Sequence, residues 1–217
     1  MTPNDIIVDV KRLAQDTGVL RTPDAYADAT LLAFVNQVLK QTALLRPDLF
    51  SYITDITTTP DTVTQNLPAD STRLVELYAV KDGTTLLEVS RETLDQTYPQ
   101  WRTDPSGVPV NYMRNVRNPN GYFLYPRPSA GVTLVGEYVQ TPPTYTLNAT
   151  ILRLPDSFLP AISAGVVGMI ESINNTGGNM TRAKEFETKY VQALGLSLQT
   201  RVVTDTEAGG LNLKQVI

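Results

Sequence analysis

Apolar positions in this chain follow two different periods. From residue 3 to residue 46 the period is helical. Ile6, Val10, Leu13 and Ala14 share one face of a predicted helix over 3–16, and Gly18 closes it. Thr2 can cap that helix, Pro3 suits its first position and Asp5 favours its first turn. A longer helix is predicted over 23–46, opened by Thr22-Pro23-Asp24 and carrying a wide stripe of Ala27, Leu31, Phe34, Val35, Val38 and Leu39. Pro47 ends it, because the residue before a proline is pushed out of the helical region.

Beyond residue 49 the period becomes two. Residues 49–90 are rich in Thr and read as strands at Phe50–Thr59, Thr62–Pro68 and Leu74–Val80. Lys81-Asp82-Gly83-Thr84 predicts a hairpin turn with Thr85–Val89 as its return strand. Arg91–Thr97 predicts a short helix. Alternation recurs at Val108–Tyr112, Tyr122–Tyr125 and Val132–Tyr138, each closed by Pro or Gly, as in short antiparallel strands joined by tight turns. Five of the ten Tyr and the single Trp fall between Tyr98 and Pro143.

The helical period returns over 155–174, with Pro160 confined to the first turn. Ala161, Gly165 and Gly168 share a face that lets a neighbouring helix come close, beside a stripe of Ile162, Val166, Met169 and Ile173. After the loop Asn174-Asn175-Thr176-Gly177-Gly178, Asn179 caps a last predicted helix over 180–200 with Ala183, Phe186, Tyr190, Ala193 and Leu194 on one side. Val202–Ile217 has no helical period. The expected fold class is α+β: a helical bundle from residues 1–48 and 151–201, an inserted antiparallel β-domain over 49–150, and an extended arm over 202–217. The helical stripes are buried only if the two ends of the chain meet. Leu31, Phe34, Val38, Ile162, Val166, Phe186 and Tyr190 are the expected bundle core.

Composition narrows the chemistry. Among 217 residues there is no Cys and no His. This removes disulfides, thiolate nucleophiles, a Ser-His-Asp triad and the commonest metal ligands. The first residues lack the basic and apolar regions of a signal peptide, and no apolar run approaches the ~20 residues of a membrane span. Net charge is −4, which argues against gripping DNA phosphates through a basic face. The expectation is a protein without cofactor, metal or membrane, made in a cytoplasm or assembled into a particle there.

Three groups remain as candidates. Glu76, Glu88, Asp95, Asp104 and Glu137 offer carboxylates on the β-stretch; Glu76 and Glu88, on facing strands of the predicted hairpin, could form a glycosidase pair. The plainer reading is that they are polar residues on a solvated face. Tyr98, Trp101, Tyr112, Tyr122, Tyr125 and Tyr138 could form a sugar- or base-stacking platform, or fill the β-core with hydroxyls at its rim. Arg114, Arg117 and Arg127 are a local basic group that could meet a partner protein or passing DNA, or only solvate a hairpin.

Three features together resemble the head-to-tail adaptor (connector) proteins of short-tailed bacteriophages. One is Trp101…Gly107-x-Pro109-x-x-Tyr112 leading to Tyr125-Pro126-x-Pro128 and a strand ending in Tyr138-x-x-x-Pro142. The second is Leu154-Pro155-Asp156-x-Phe158-Leu159-x-Ala161-Ile162. The third is a helix pair at each end of the chain. The match departs from the family pattern at Gly165 and Gly168, where Tyr or Ala is expected. The resemblance implies a non-enzymatic structural protein of the virion neck, a ring of about twelve copies clamped beneath the portal protein. It also implies contact with a tail nozzle or tail tube protein, and passage of genomic DNA without sequence-specific binding. Adaptors of this kind embrace the portal with terminal arms, which here points to Val202, Val203, Leu211, Leu213, Val216 and Ile217. Alternating Leu211 and Leu213 suit addition to a sheet edge or groove. A carbohydrate-binding or host-recognition module of a tail appendage is the competing reading from the residues alone.

Overall fold

A computed structural model describes residues 1–16, 27–81, 83–173 and 180–195. They form a mixed α+β fold. Its helices are α1 (Pro3–Asp16), α2 (Asp28–Leu45), α3 (Arg91–Thr97), α4 (Leu159–Ile173) and α5 (Met180–Ala193). Its strands are β1 (Ser51–Thr57), β2 (Thr64–Asn66), β3 (Ser71–Val80), β4 (Leu87–Glu88), β5 (Asn111–Arg114), β6 (Gly121–Tyr125) and β7 (Thr133–Gln140). Two compact units result, one of residues 1–41 with 143–217 and one of residues 42–142.

In the first unit, α1 opens with a reciprocal cap. The Asp5 amide donates to Thr2 Oγ1 at 3.3 Å, and the Thr2 amide donates to Asp5 Oδ2 at 2.7 Å. The second of these bonds holds the Asp5 carboxyl below the usual carboxylate value. Helix α4 is the centre of the unit. Ten of its fifteen residues are buried, the pattern of a helix covered on most sides. The stretch Asp156–Ile173 is long and apolar enough by composition to cross a membrane. This corrects the expectation that no run comes near that limit. Its apolar character has a packing cause, since α1, α2 and α5 all lie against α4.

The closest approach is at Gly165. A Cβ there would lie 2.9 Å from Val38 Cγ1 of α2 and 3.1 Å from Tyr190 Cδ2 of α5. Gly168 is less crowded, and a Cβ would meet only ordinary contacts at 3.5 Å on α5. Asn36 makes a second tie. On the apolar side of α2, it is buried, donates from Nδ2 to the Tyr145 carbonyl at 3.1 Å and accepts at Oδ1 from the Tyr145 amide at 2.7 Å. It thus holds the segment by which the chain returns from the second unit.

Of the expected bundle core, Leu31, Val38, Ile162, Val166, Phe186 and Tyr190 are buried. Phe34 is only half-buried, because it sits at the edge of the stripe whose centre is Leu31, Val35 and Val38. Helix α5 stops at Ala193, short of the predicted residue 200. Gly195 takes a left-handed φ of 75°, and its amide donates to the Gln192 carbonyl at 2.9 Å, which closes the helix. Gly18, the predicted opening Thr22-Pro23-Asp24, the Asn179 cap and the arm from Val202 to Ile217 lie outside the described residues.

The second unit is a two-sheet β-structure. One sheet has the order β1-β7-β3 and is antiparallel; the other has the order β2-β6-β5-β4, with β4 parallel to β5. Ile56, Leu74, Leu77, Leu134 and Tyr138 of the first sheet meet Tyr112, Tyr122 and Leu124 of the second in one core. The predicted hairpin after β3 is cut short. Thr85 bridges back to Ala79 and the Leu86 amide donates to Tyr78, but Leu87–Glu88 then leave to pair with Asn111–Tyr112 in the other sheet. Burial decides this: Leu86 faces the shared core and is 4 % exposed.

Two substitutions in the first unit have definite expected costs, measurable by thermal or urea unfolding. Gly165→Ala should destabilise by about 1–3 kcal/mol, because Val38 and Tyr190 must shift. Gly168→Ala should instead be neutral or stabilising by up to about 1 kcal/mol, from helix propensity alone. Asn36→Leu should cost about 2–4 kcal/mol, since it orphans both a buried amide and a buried carbonyl at Tyr145.

Candidate functional site

The candidate carboxylates Glu76, Glu88, Asp95, Asp104 and Glu137 do not converge on a reaction centre. Glu76 on β3 stands opposite Glu137 on β7, whereas Glu88 belongs to the other sheet. The candidate Glu76–Glu88 pair is therefore not formed: the chain leaves the hairpin before Glu88 can face Glu76. Glu137 accepts from the Tyr78 hydroxyl at 2.7 Å, and this hydrogen bond pushes the Tyr78 phenol up to about 12. Glu88 accepts from Arg114 at 2.8 and 3.2 Å and from the Tyr112 hydroxyl at 2.9 Å. Burial alone would raise its pKa; the bonds from Arg114 and Tyr112 together outweigh that and hold it below the usual value. Arg114 also donates to the Val75 carbonyl at 2.6 Å, tying the β3 edge to β5.

Asp95 and Asp104 organise the aromatic residues. The Trp101 indole is 1 % exposed and donates to Asp95 Oδ1 at 2.7 Å. That bond first, and Arg102 at 2.7 Å with it, holds the Asp95 carboxyl low. The Arg102 guanidinium lies 4.4 Å from the Trp101 ring centroid. Tyr98 and Tyr125 donate their hydroxyls to the two oxygens of Asp104, each at 2.9 Å, and Trp101 meets Tyr125 edge-on at 6.3 Å. Of the six candidate aromatic residues, Trp101, Tyr112, Tyr122 and Tyr138 are buried, and Tyr98 alone is openly exposed. The aromatic residues form a core with a bonded rim, and a flat stacking platform is not what they build.

The three arginines are also separated. Arg114 is opposite Tyr122 in the β5–β6 ladder, whereas Arg127 follows Tyr125 at the far end of β6. Arg127 Nε donates to the Asp104 carbonyl at 2.9 Å. Arg117 is exposed at the β5–β6 turn, beside Val116, which is 94 % exposed. The turn is held by Asn115 Oδ1, which accepts from the Arg117 and Asn118 amides at 3.1 and 3.3 Å.

What the described surface offers is apolar contact. Leu87, Val108 and Val110 are exposed on the β4–β5 margin, where the Leu87 amide donates to Val110. Sequence reading passed over them because Val108-Pro109-Val110 alternates like a core strand. In the structure it is Pro109 of that triplet that is buried. Their signal is the adjacent pair Leu86-Leu87: two neighbouring leucines on one strand cannot both face one core. One buried carboxylate stands apart. Glu171 of α4 has no hydrogen-bond partner among the described residues, and Arg182 Nε is 3.8 Å away. Burial pushes its pKa up. No group of three or more potential metal-ligating side chains occurs among the described residues.

The SU10 adaptor protein family matches residues 1–211 of the 217. The chain belongs to that family. Its members are adaptor proteins of phage, so the chain is a structural virion component at the head–tail junction. No curated protein matches the chain. The adaptor's buried tyrosines and bonded aspartates fit a structural part, in which polar side chains fasten the fold.

Glu88 gives a pH test of that role. A carboxyl whose folded pKa is lowered stabilises the fold above its unfolded value, near 4.3, and loses this as pH falls through the folded value. Glu88→Gln should cost up to about 1 kcal/mol at pH 7, the pair being almost half exposed. The difference from the parent should vanish below the folded pKa in urea melts run across pH.

Proposed function

We propose that the adaptor assembles as a ring beneath the portal of the capsid, joins it to the tail nozzle or tail tube, and surrounds the path of the genome. The family match over nearly the whole chain carries this reading. A ring of about twelve copies suits head-to-tail contacts that close after a whole fraction of a turn. The net charge of −4 supports a lumen along which DNA slides without sticking. Arg114, Arg117 and Arg127 are a weaker part of the proposal: Arg114 is engaged by Glu88 and Arg127 by Asp104, which leaves Arg117 as the arginine best placed to meet a partner or DNA.

The portal contact is assigned to the arm over 202–217, through Val202, Val203, Leu211, Leu213, Val216 and Ile217. Their spacing favours strand addition or groove binding more than solubility. Deletion of residues 203–217 should leave the melting temperature of the isolated protein nearly unchanged and abolish its co-sedimentation with portal rings. Portal binding retained by the deleted protein would reject the assignment.

A further inference from the structure

A groove of about 450 Å³ runs between α1 and α5 over α4. Ala164 and Phe186 floor it, and Leu13, Leu159, Pro160 and Ala193 wall it. The charges at its rim already have company. Arg12 pairs with Asp9 at 2.8 Å, and the Lys189 ammonium lies 4.8 Å from the centroid of the Phe186 ring. An uncharged, apolar occupant gains most here, because it covers the floor without breaking either arrangement.

The end of α5 points to which occupant that is. Ala193 is both the last helical residue and part of the groove wall. Two residues later Gly195 turns left-handed, a conformation that takes the chain off the helix axis. The next residues, Leu196-Ser197-Leu198-Gln199-Thr200, carry no charge and place two leucines two positions apart. They lie outside the described residues. From Ala193 back to Phe186 is about 10 Å along the helix. Three or four extended residues, at about 3.3 Å each, cover that distance with both leucines on one side.

We propose that segment 196–200 of the same chain docks in this groove, with Leu196 and Leu198 on its apolar floor. The tether gives the segment an effective concentration in the millimolar range, ahead of any free competitor. The docked segment would set the point from which residues 202–217 leave the helical unit. The proposal does not depend on what those residues bind.

The protein has no Cys, so an introduced pair reports proximity cleanly. In the full chain, Leu13→Cys with Leu198→Cys should close an intramolecular disulfide on mild oxidation, seen as a faster band on a non-reducing gel. Leu13→Cys with Leu213→Cys should close it at least several-fold less. Equal closure in the two variants, or crosslinks mainly between chains, would overturn the proposal; the second result would give the groove to a neighbouring copy. Truncation supplies a second reading. A chain ending at Gly195 should melt about 4 °C or more below a chain ending at Val202. Equal melting would also overturn it. The chain ending at Val202 tests the portal arm separately, so the two ideas can fail independently.

Discussion

Helix α4 can be covered by three helices only because a side chain is missing at Gly165. Val38 from α2 and Tyr190 from α5 both reach the position where a Cβ would stand. The backbone there is a contact surface. Close approach of this kind places α2 and α5 on one buried helix, and the apolar composition of α4 follows from it. A solvated α4 would expose a nearly continuous apolar cylinder, which no soluble surface tolerates cheaply. The same packing explains why Asn36 is so well bonded. Any polar group on the covered side of α2 must find its partners locally, and Tyr145 offers both an amide and a carbonyl.

The β-unit solves a different problem, that of large aromatic residues with polar tips. Trp101, Tyr98 and Tyr125 each bring a donor that must be satisfied near a sheet margin. Asp95 and Asp104 take these donors, and Arg102 covers the outer face of the indole. Acids among tyrosines and a tryptophan look like chemistry in a sequence. Here two tyrosine hydroxyls occupy the Asp104 oxygens, and the indole with Arg102 occupies Asp95 Oδ1.

Local periodicity made much of this legible. The capping pattern of Thr2, Pro3 and Asp5 located α1, and the small residues at 161, 165 and 168 correctly announced a close helix contact. Alternation located β6 and β7 within one or two residues. The misreadings share one cause, a tertiary choice between two locally acceptable paths. Thr85–Val89 could continue the β3 hairpin, but placing Leu86 in the shared core sends Leu87 and Glu88 to β5. Alternation at Val108-Pro109-Val110 has two possible phases, and the structure buries the proline. Residues 194–200 could extend α5, yet Gly195 stops it. Asn36 was invisible because its partner lies 109 positions away.

An adaptor acts through its surfaces. In such a protein the informative residues are those whose exposure the fold does not require. Leu87, Val108, Val110 and Val116 are of this kind in the β-unit, and the walls of the α1–α5 groove are of this kind in the helical unit. Single exposed apolar residues are ordinary. Apolar residues gathered at a sheet margin are less so, because an open margin already presents backbone donors and acceptors. Isolated subunits of an assembling structure must keep such margins from pairing prematurely. At the β4 margin the strand is only two residues long and is followed at once by α3, which Ser90 caps by accepting from the Thr93 amide at 3.0 Å. A short strand ended by a capped helix offers apolar contact while denying a long backbone edge, so association there depends on side-chain fit.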